Sequence, residues 1–179
     1  MGVTAHEVRD LILASQGDRL ENLPEEQGLY ALLDHTGAMR YIGMTTMTIR
    51  RRVARYHVAG DGNSHKYSCA YNAGLLWHDR RDPRSDSADG RISKKARRDF
   101  ARMTCRAIGV PLPGLTPASL ARIERDVIGL VRHPDWNDSK SIDAMEVDDQ
   151  VRVMTSMWSH RERMAMERQR ERWMEGRSS

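Results

Sequence analysis

The 179-residue chain has only two cysteines, Cys69 and Cys105. Their spacing fits no metal site, and two thiols make no disulfide framework. A reduced, cytoplasmic protein is therefore expected. No stretch approaches the ~20 apolar residues of a membrane span. The opening residues Met1-Gly2-Val3-Thr4-Ala5-His6-Glu7 lack the basic and apolar regions of a secretory leader. The sequence has no internal repeat and no separate recognition module such as a zinc finger. What it does have is charge. Charged residues make up 30% and hydrophobic residues 39%, with a formal net charge of +4 and a pI near 9.3. That balance fits one compact domain with accessory pieces, a small core and a large solvated surface. A modestly basic chain is compatible with a nucleic-acid partner without demanding one.

Thr4 and Glu7 have capping-box spacing ahead of Val8, Leu11 and Ile12, which predicts a helix over about 4–16 ended by Gly17 and Asp18. Two apolar stretches, 29–33 and 39–43, flank Asp34-His35-Thr36-Gly37, where Asp starts a turn and Gly supplies positive φ. They read as a β-hairpin. Closed symmetrically, it makes Tyr30 and Tyr41 cross-strand neighbours. Helices are predicted over 47–58 and 66–78, separated by a loop at 60–64. From Arg80 to Arg106, ten Arg or Lys residues accompany four Asp. The segment reads as a loop over 82–90, then a helix with Ile92, Ala96, Phe100 and Met103 as its apolar stripe. Thr116 and Pro117 start a further helix whose buried face is Leu120, Ile123, Val127, Leu130 and Val131, ended by His133-Pro134. The tail from 142 to 176 reads as one or two amphipathic helices carrying Met154, Met157, Trp158, Met164 and Trp173.

Gly28-Leu29-Tyr30, ten residues, then Tyr41-Ile42-Gly43 resembles the signature of the GIY-YIG nuclease family, with Leu29 in place of the usual Ile. Paired tyrosines packing across a hairpin give the same pattern without chemistry. The downstream residues extend the resemblance. Arg51 and Arg52 both lie where the family carries an arginine. The apolar–x–x–Arg–apolar rhythm of Ile49 to Val53 favours Arg52, and the other arginines read as a solvated basic face. Tyr56 fits the next family position by spacing, His57 by chemistry, and His65 lies near a second histidine of some members. Glu124, mid-helix beside the apolar face, matches the metal-binding Glu, although an ion pair with Arg122 or Arg125 is the ordinary alternative. Asn137 follows thirteen residues later.

The resemblance, spanning about 27–138, implies an α+β fold. A small antiparallel sheet (the hairpin plus a further strand) is flanked by helices, with a basic insertion at about 80–115. The implied organisation is an N-terminal helix and linker over 1–26, a nuclease domain over 27–140 and a helical tail over 141–179. It implies a DNA endonuclease using one Mg²⁺ or Mn²⁺ per site, held by Glu124. Tyr30 would be the base, and only if nearby cations favour its phenolate, because a free tyrosine titrates near ~10. Tyr41 would orient water or phosphate, Tyr56 or His57 would help move the proton, and Arg52 would grip the phosphate. Gly28, Gly43 and Asn137 would support the site. DNA contacts would come from Arg51, Arg55, His65, Lys94, Lys95, Arg97 and Arg98, and from the tail. The expected partner is DNA rather than a membrane. A double-strand cutter with one site per chain would also be expected to form a homodimer. A catalytically silent DNA-binding module with this fold, and a helical partner-binding protein, are the alternative readings.

Overall fold

The computed structural model describes residues 2–60, 65–79, 81, 86–131, 134–138, 145 and 158–177. The chain forms two compact units. One comprises Met1–Tyr56 and Thr104–Lys140, the other His57–Met103 and Ser141–Ser179.

The first unit is an α+β layer. Its antiparallel sheet has the order β1-β4-β2-β3, with β1 at Asp18–Arg19, β2 at Gly28–Leu33, β3 at Met39–Thr45 and β4 at Arg106–Pro111. Strand β2 pairs on both sides, and all six of its residues are buried. Strand alternation sends Leu29, Ala31 and Leu33 to one face. There they join Ile42, Ile108 and Val110 against Val8 and Ile12 of α1 (Ala5–Ala14) and Leu120, Ile123 and Val127 of α4 (Pro117–Leu130). Each such aliphatic side chain contributes about 1.5–3 kcal/mol by leaving water. Helix α1 begins with the predicted capping box, Thr4 to Glu7, and α4 with the Thr116 cap and Pro117. The N-terminal helix is thus part of the core rather than an appendage.

The further strand, β4, lies inside the segment read as a basic insertion. Residues 106–111 form a sheet strand, and it is 57–103 that contribute to the second unit. That unit holds α2 (Lys66–Ala70), a tight turn at Gly74–Leu76, α3 (Ser87–Thr104) and α6 (His160–Arg177). The helix predicted over 66–78 therefore stops at Ala70. In α3 the buried positions are Asp89, Gly90, Ser93, Ala96, Arg97, Phe100 and Ala101. The predicted stripe is rotated, leaving Ile92 half-buried and Met103 exposed, while Asp89 and Arg97 lie inside. Asp89 accepts from Arg168 Nε at 2.6 Å and Nη2 at 2.8 Å, which clamps α6 to α3. Such forked, charge-assisted pairs fix geometry as well as adding energy. Trp158, Ala165, Met166 and Gln169 are buried, whereas Met164 is exposed. No described helix is long and apolar enough to cross a membrane. Residues 61–64 and 82–85 of the two predicted loops, His133, Met154 and Met157 lie outside the described residues, and the loop expected to run to Gly90 gives way to α3 at Ser87.

Candidate active site

The face of the sheet opposite α1 and α4 carries the tyrosines. Tyr30 pairs with Gly43 and Tyr41 with Leu32, so the two rings are diagonal neighbours rather than directly opposed. The register moves because Leu33 pairs with Met39 and Leu32 with Tyr41, which leaves Arg40 as a bulged residue. Bulges re-aim side chains. Arg40 donates from Nε to Asp34 Oδ2 at 2.7 Å and from Nη1 to Asp135, while Asp34 Oδ1 receives the Thr36 and Ala38 amides of the turn. The bulge thereby ties the hairpin tip to α5 (Asp135–Asp138).

The rings of Tyr30 and Tyr41 lie 6.1 Å apart between centroids. They converge over Gly43, where an added Cβ would sit 2.6 Å from Tyr41 Cε1 and 2.7 Å from the Tyr30 hydroxyl. Across the other edge of β2, Gly109 faces Tyr30, and a Cβ there would meet Pro24 Cδ at 2.6 Å. Gly28 serves a close strand approach, since a Cβ on it would overlap the Val110 carbonyl. Gly43→Ala is expected to cost about 1–3 kcal/mol by overpacking and to push the phenols apart. Denaturant unfolding and the NMR shifts of both tyrosine rings would check this, and an unperturbed Tyr30–Tyr41 pair would contradict it.

Arg52 comes from a π-helical segment, Arg51–His57. Such segments, with hydrogen bonds from i to i+5, are seen often at functional sites. Arg52 Nε donates to the Tyr30 hydroxyl at 3.4 Å, and its guanidinium carbon lies 6.0 Å from the Tyr56 ring centroid. Arg51 and Arg55 are exposed, and Arg50 pairs with Glu25. Of the four arginines, Arg52 is the one aimed at the tyrosines.

Glu124 reaches the edge of β3, where its Oε1 accepts the Met44 amide at 2.9 Å. Asn137 does the same one pleat away, accepting from Ile42 N at 2.8 Å and donating to Ile42 O at 2.7 Å. The two side chains occupy backbone groups that an edge strand otherwise offers to other chains. Asn137→Ala leaves both Ile42 groups without this partner, at a cost of about 1–3 kcal/mol. Faster exchange of the Ile42 amide is the expected readout.

Burial, and then Tyr41, push the Tyr30 hydroxyl far above the ordinary tyrosine value, and the bond and charge of Arg52 do not offset this. Tyr41 is raised by burial and by Glu124, against the pull of Arg52 and a hydrogen bond with Tyr30. Burial raises the Glu124 carboxyl, while the Met44 amide, Arg125 and Arg52 oppose the rise. The expected Tyr30 phenolate is therefore disfavoured in the chain alone. Tyr30 stands as a neutral hydroxyl, because its desolvation outweighs one flanking cation.

Tyr30, Tyr41, Arg52, Tyr56, Glu124 and Asn137 are brought into one unit. His57 and His65 belong to the other. His57 is buried, its Nδ1 accepts the Lys66 amide at 3.4 Å, and its ring lies edge-on to His65 at 6.4 Å. Tyr56 is the member of that pair in contact with Arg52. Arg97, expected as a DNA contact, is buried and donates to Asn72 Oδ1 and to Leu76 O. Lys94 is half-buried, whereas Lys95 and Arg98 pair with Asp99. Sequence reasoning missed Gly109, Pro24 and the Asp34–Arg40–Asp135 tie. A glycine within an apolar strand run was the available signal for the first.

The described residues contain no group of three or more His, Cys, Asp or Glu able to hold a metal ion. Glu124 is the acid beside the tyrosines and Arg52, and among the described residues its Oε2 accepts no hydrogen bond. Comparison with family profiles, curated proteins and solved structures finds no match.

Proposed function

We propose that this chain is a metal-dependent DNA endonuclease of the GIY-YIG type. The observation that carries the reading is the convergence of Tyr30, Tyr41, Arg52 and Glu124. Residues from β2, β3, the π-helical segment and α4, distant in sequence, come together at one place: the tyrosine rings lie 6.1 Å apart, Arg52 donates to the Tyr30 hydroxyl, and Glu124 holds the Met44 amide of β3.

One carboxylate with a free oxygen suits Mg²⁺, which keeps most of its waters and completes its shell with phosphate oxygens. Glu124 would hold such an ion, and the ion when bound supplies charge stabilisation for the phosphate and the leaving oxygen. Arg52 presents a rigid fork of donors to a non-bridging phosphate oxygen and stabilises charge that develops there. Tyr30 keeps its proton, and its hydroxyl, bonded to Arg52 and to Tyr41, positions both towards the phosphate. Tyr41, less buried, orients the attacking water. Tyr56 supports the Arg52 guanidinium from its ring face. Asn137 fixes the edge of β3 from which Tyr41 projects.

A second reading, a DNA-binding module that does not turn over, draws support from the full burial of Tyr30. Supercoiled plasmid separates the two. With Mg²⁺ or Mn²⁺ the purified chain is expected to produce nicked or linear DNA, and EDTA is expected to stop it. Salt-sensitive DNA retention with no conversion in either metal would leave the silent module. Absence of both would leave the partner-binding reading.

A further inference from the structure

The basic residues of the second unit divide into those consumed internally and those presented outward. Arg168 and Arg172 serve Asp89, Arg170 pairs with Glu167, and Arg97 is buried. On α3 the remainder form a line. Arg91, Lys95, Arg98 and Arg102 recur at intervals of four, three and four, with Lys94 beside them. That spacing keeps them on one helix face. The opposite face, Ser93, Ala96, Arg97, Phe100 and Ala101, is buried. Arg91, Lys95 and Arg102 are exposed, and Lys94 and Arg98 partly so. The acids facing this line are Asp99, paired with Lys95 and Arg98, and Glu162, whose carboxyl is held by the Ser159 cap and also feels the charge of Lys95. Among the described residues Arg91, Lys94 and Arg102 make no ion pair.

We infer that the outer face of α3 is a docking surface for the phosphate backbone of double-stranded DNA. From Arg91 to Arg102 the helix rises roughly 16 Å, and each strand of a duplex offers a phosphate every ~3.4 Å of its axis. The line therefore reaches several phosphates without a base-reading group. A single strand is the other polyanion to consider. Proteins that hold single strands stack bases on accessible aromatic rings. On α3 the aromatic residue, Phe100, is buried, and no aromatic is among the strongly exposed large apolar residues of the described chain. The duplex fits better. Phosphate contacts of this kind give affinity and register but no sequence preference. The inference rests on the nuclease reading for the identity of the polymer.

The test is fluorescence anisotropy of the full chain with a labelled 30-base-pair duplex, and with one of its strands, in EDTA across a salt series. The variant Arg91→Gln/Lys95→Gln/Arg98→Gln/Arg102→Gln is expected to bind the duplex at least about tenfold more weakly at ~0.1 M salt and to lose roughly two to four units of salt slope. Arg91→Gln/Arg102→Gln, which leaves the Asp99 pairs intact, should show about half that slope loss and remains informative if the quadruple variant folds poorly. Arg19→Gln/Arg122→Gln in the first unit is the control of equal charge. The inference is overturned by an unchanged slope in the Arg91/Arg102 variant, by an equal loss in the control, or by equal or tighter binding of the single strand. Binding in EDTA requires no cleavage. A wild type that binds duplex through α3 but never cuts removes only the nuclease reading. One that cuts while its α3 variants bind normally removes only this inference.

Discussion

Glu124→Gln is expected to lower Mg²⁺-dependent DNA cleavage by at least about 10³-fold, since a Lewis-acid metal supplies several kcal/mol of transition-state stabilisation, while the folded chain stays as stable as the parent or becomes more so. The two halves of this expectation have one cause. Burial raises the Glu124 carboxyl above its ordinary value of 4.5. A carboxyl whose folded pKa is raised binds its proton more readily folded than unfolded. The stability it adds is fully present below the unfolded value and is lost as pH rises through the raised folded value. At neutral pH the charge is thus carried at a cost to the fold. Glutamine removes that cost and still accepts the Met44 amide through its carbonyl. The melting temperature of the variant should pull ahead of wild type as pH is raised from about 4.5 towards neutrality. Catalysis has the opposite requirement, because the metal needs the carboxylate. The wild-type pH–rate profile should therefore show an acidic limb above the ordinary glutamate value. It should show no phenolate limb near neutrality, since Tyr30 is displaced upward. A variant that melts well below wild type at neutral pH would mark Glu124 as a structural ion-pair residue.

Arg52→Lys is expected to reduce cleavage by about 10²–10³-fold, the usual cost of one preorganised charge-stabilising donor, with little change in unfolding midpoint. Lysine keeps the charge and loses the planar fork. Arg52 is half-buried, and the hydrogen bond its side chain makes among the described residues, to Tyr30, is long at 3.4 Å, so the fold gains little from it. Arg51→Lys, on the exposed neighbour, should be close to neutral for cleavage. Equal losses at the two positions would show that a general basic face, rather than one aimed guanidinium, carries the effect.

The first unit was largely legible. Capping residues, the turn at Asp34–Gly37 and period-2 alternation are local signals, and α1, β2, β3 and α4 follow them closely. The register of the hairpin was not legible, because it depends on the Arg40 bulge, which is held by Asp34 and by Asp135, 95 residues away. The choice between Arg51 and Arg52 was open in the sequence; in the structure it is Arg52 whose side chain contacts Tyr30, while Arg51 is exposed. Strand β4 was hidden inside a stretch whose overall charge is basic, although Ala107, Ile108 and Val110 are an apolar core. The second unit was the least legible. A buried carboxylate at Asp89 and a buried cation at Arg97 reverse the usual rule that charges lie outside. They turn α3 away from the face its apolar residues suggested. The same misreading placed Arg97 among the DNA contacts when it holds the Asn72–Leu76 segment.

The most direct measurement is the cleavage of supercoiled plasmid in Mg²⁺ by wild type, Glu124→Gln and Asp126→Asn at equal folded concentration. Asp126 is exposed on the same helix, and its change removes the same charge. Conversion of plasmid by wild type and Asp126→Asn, with none by Glu124→Gln, is the predicted result. Conversion by all three at similar rates would contradict the assignment, since the activity would then come from elsewhere. No conversion by any would contradict the claim of catalysis itself.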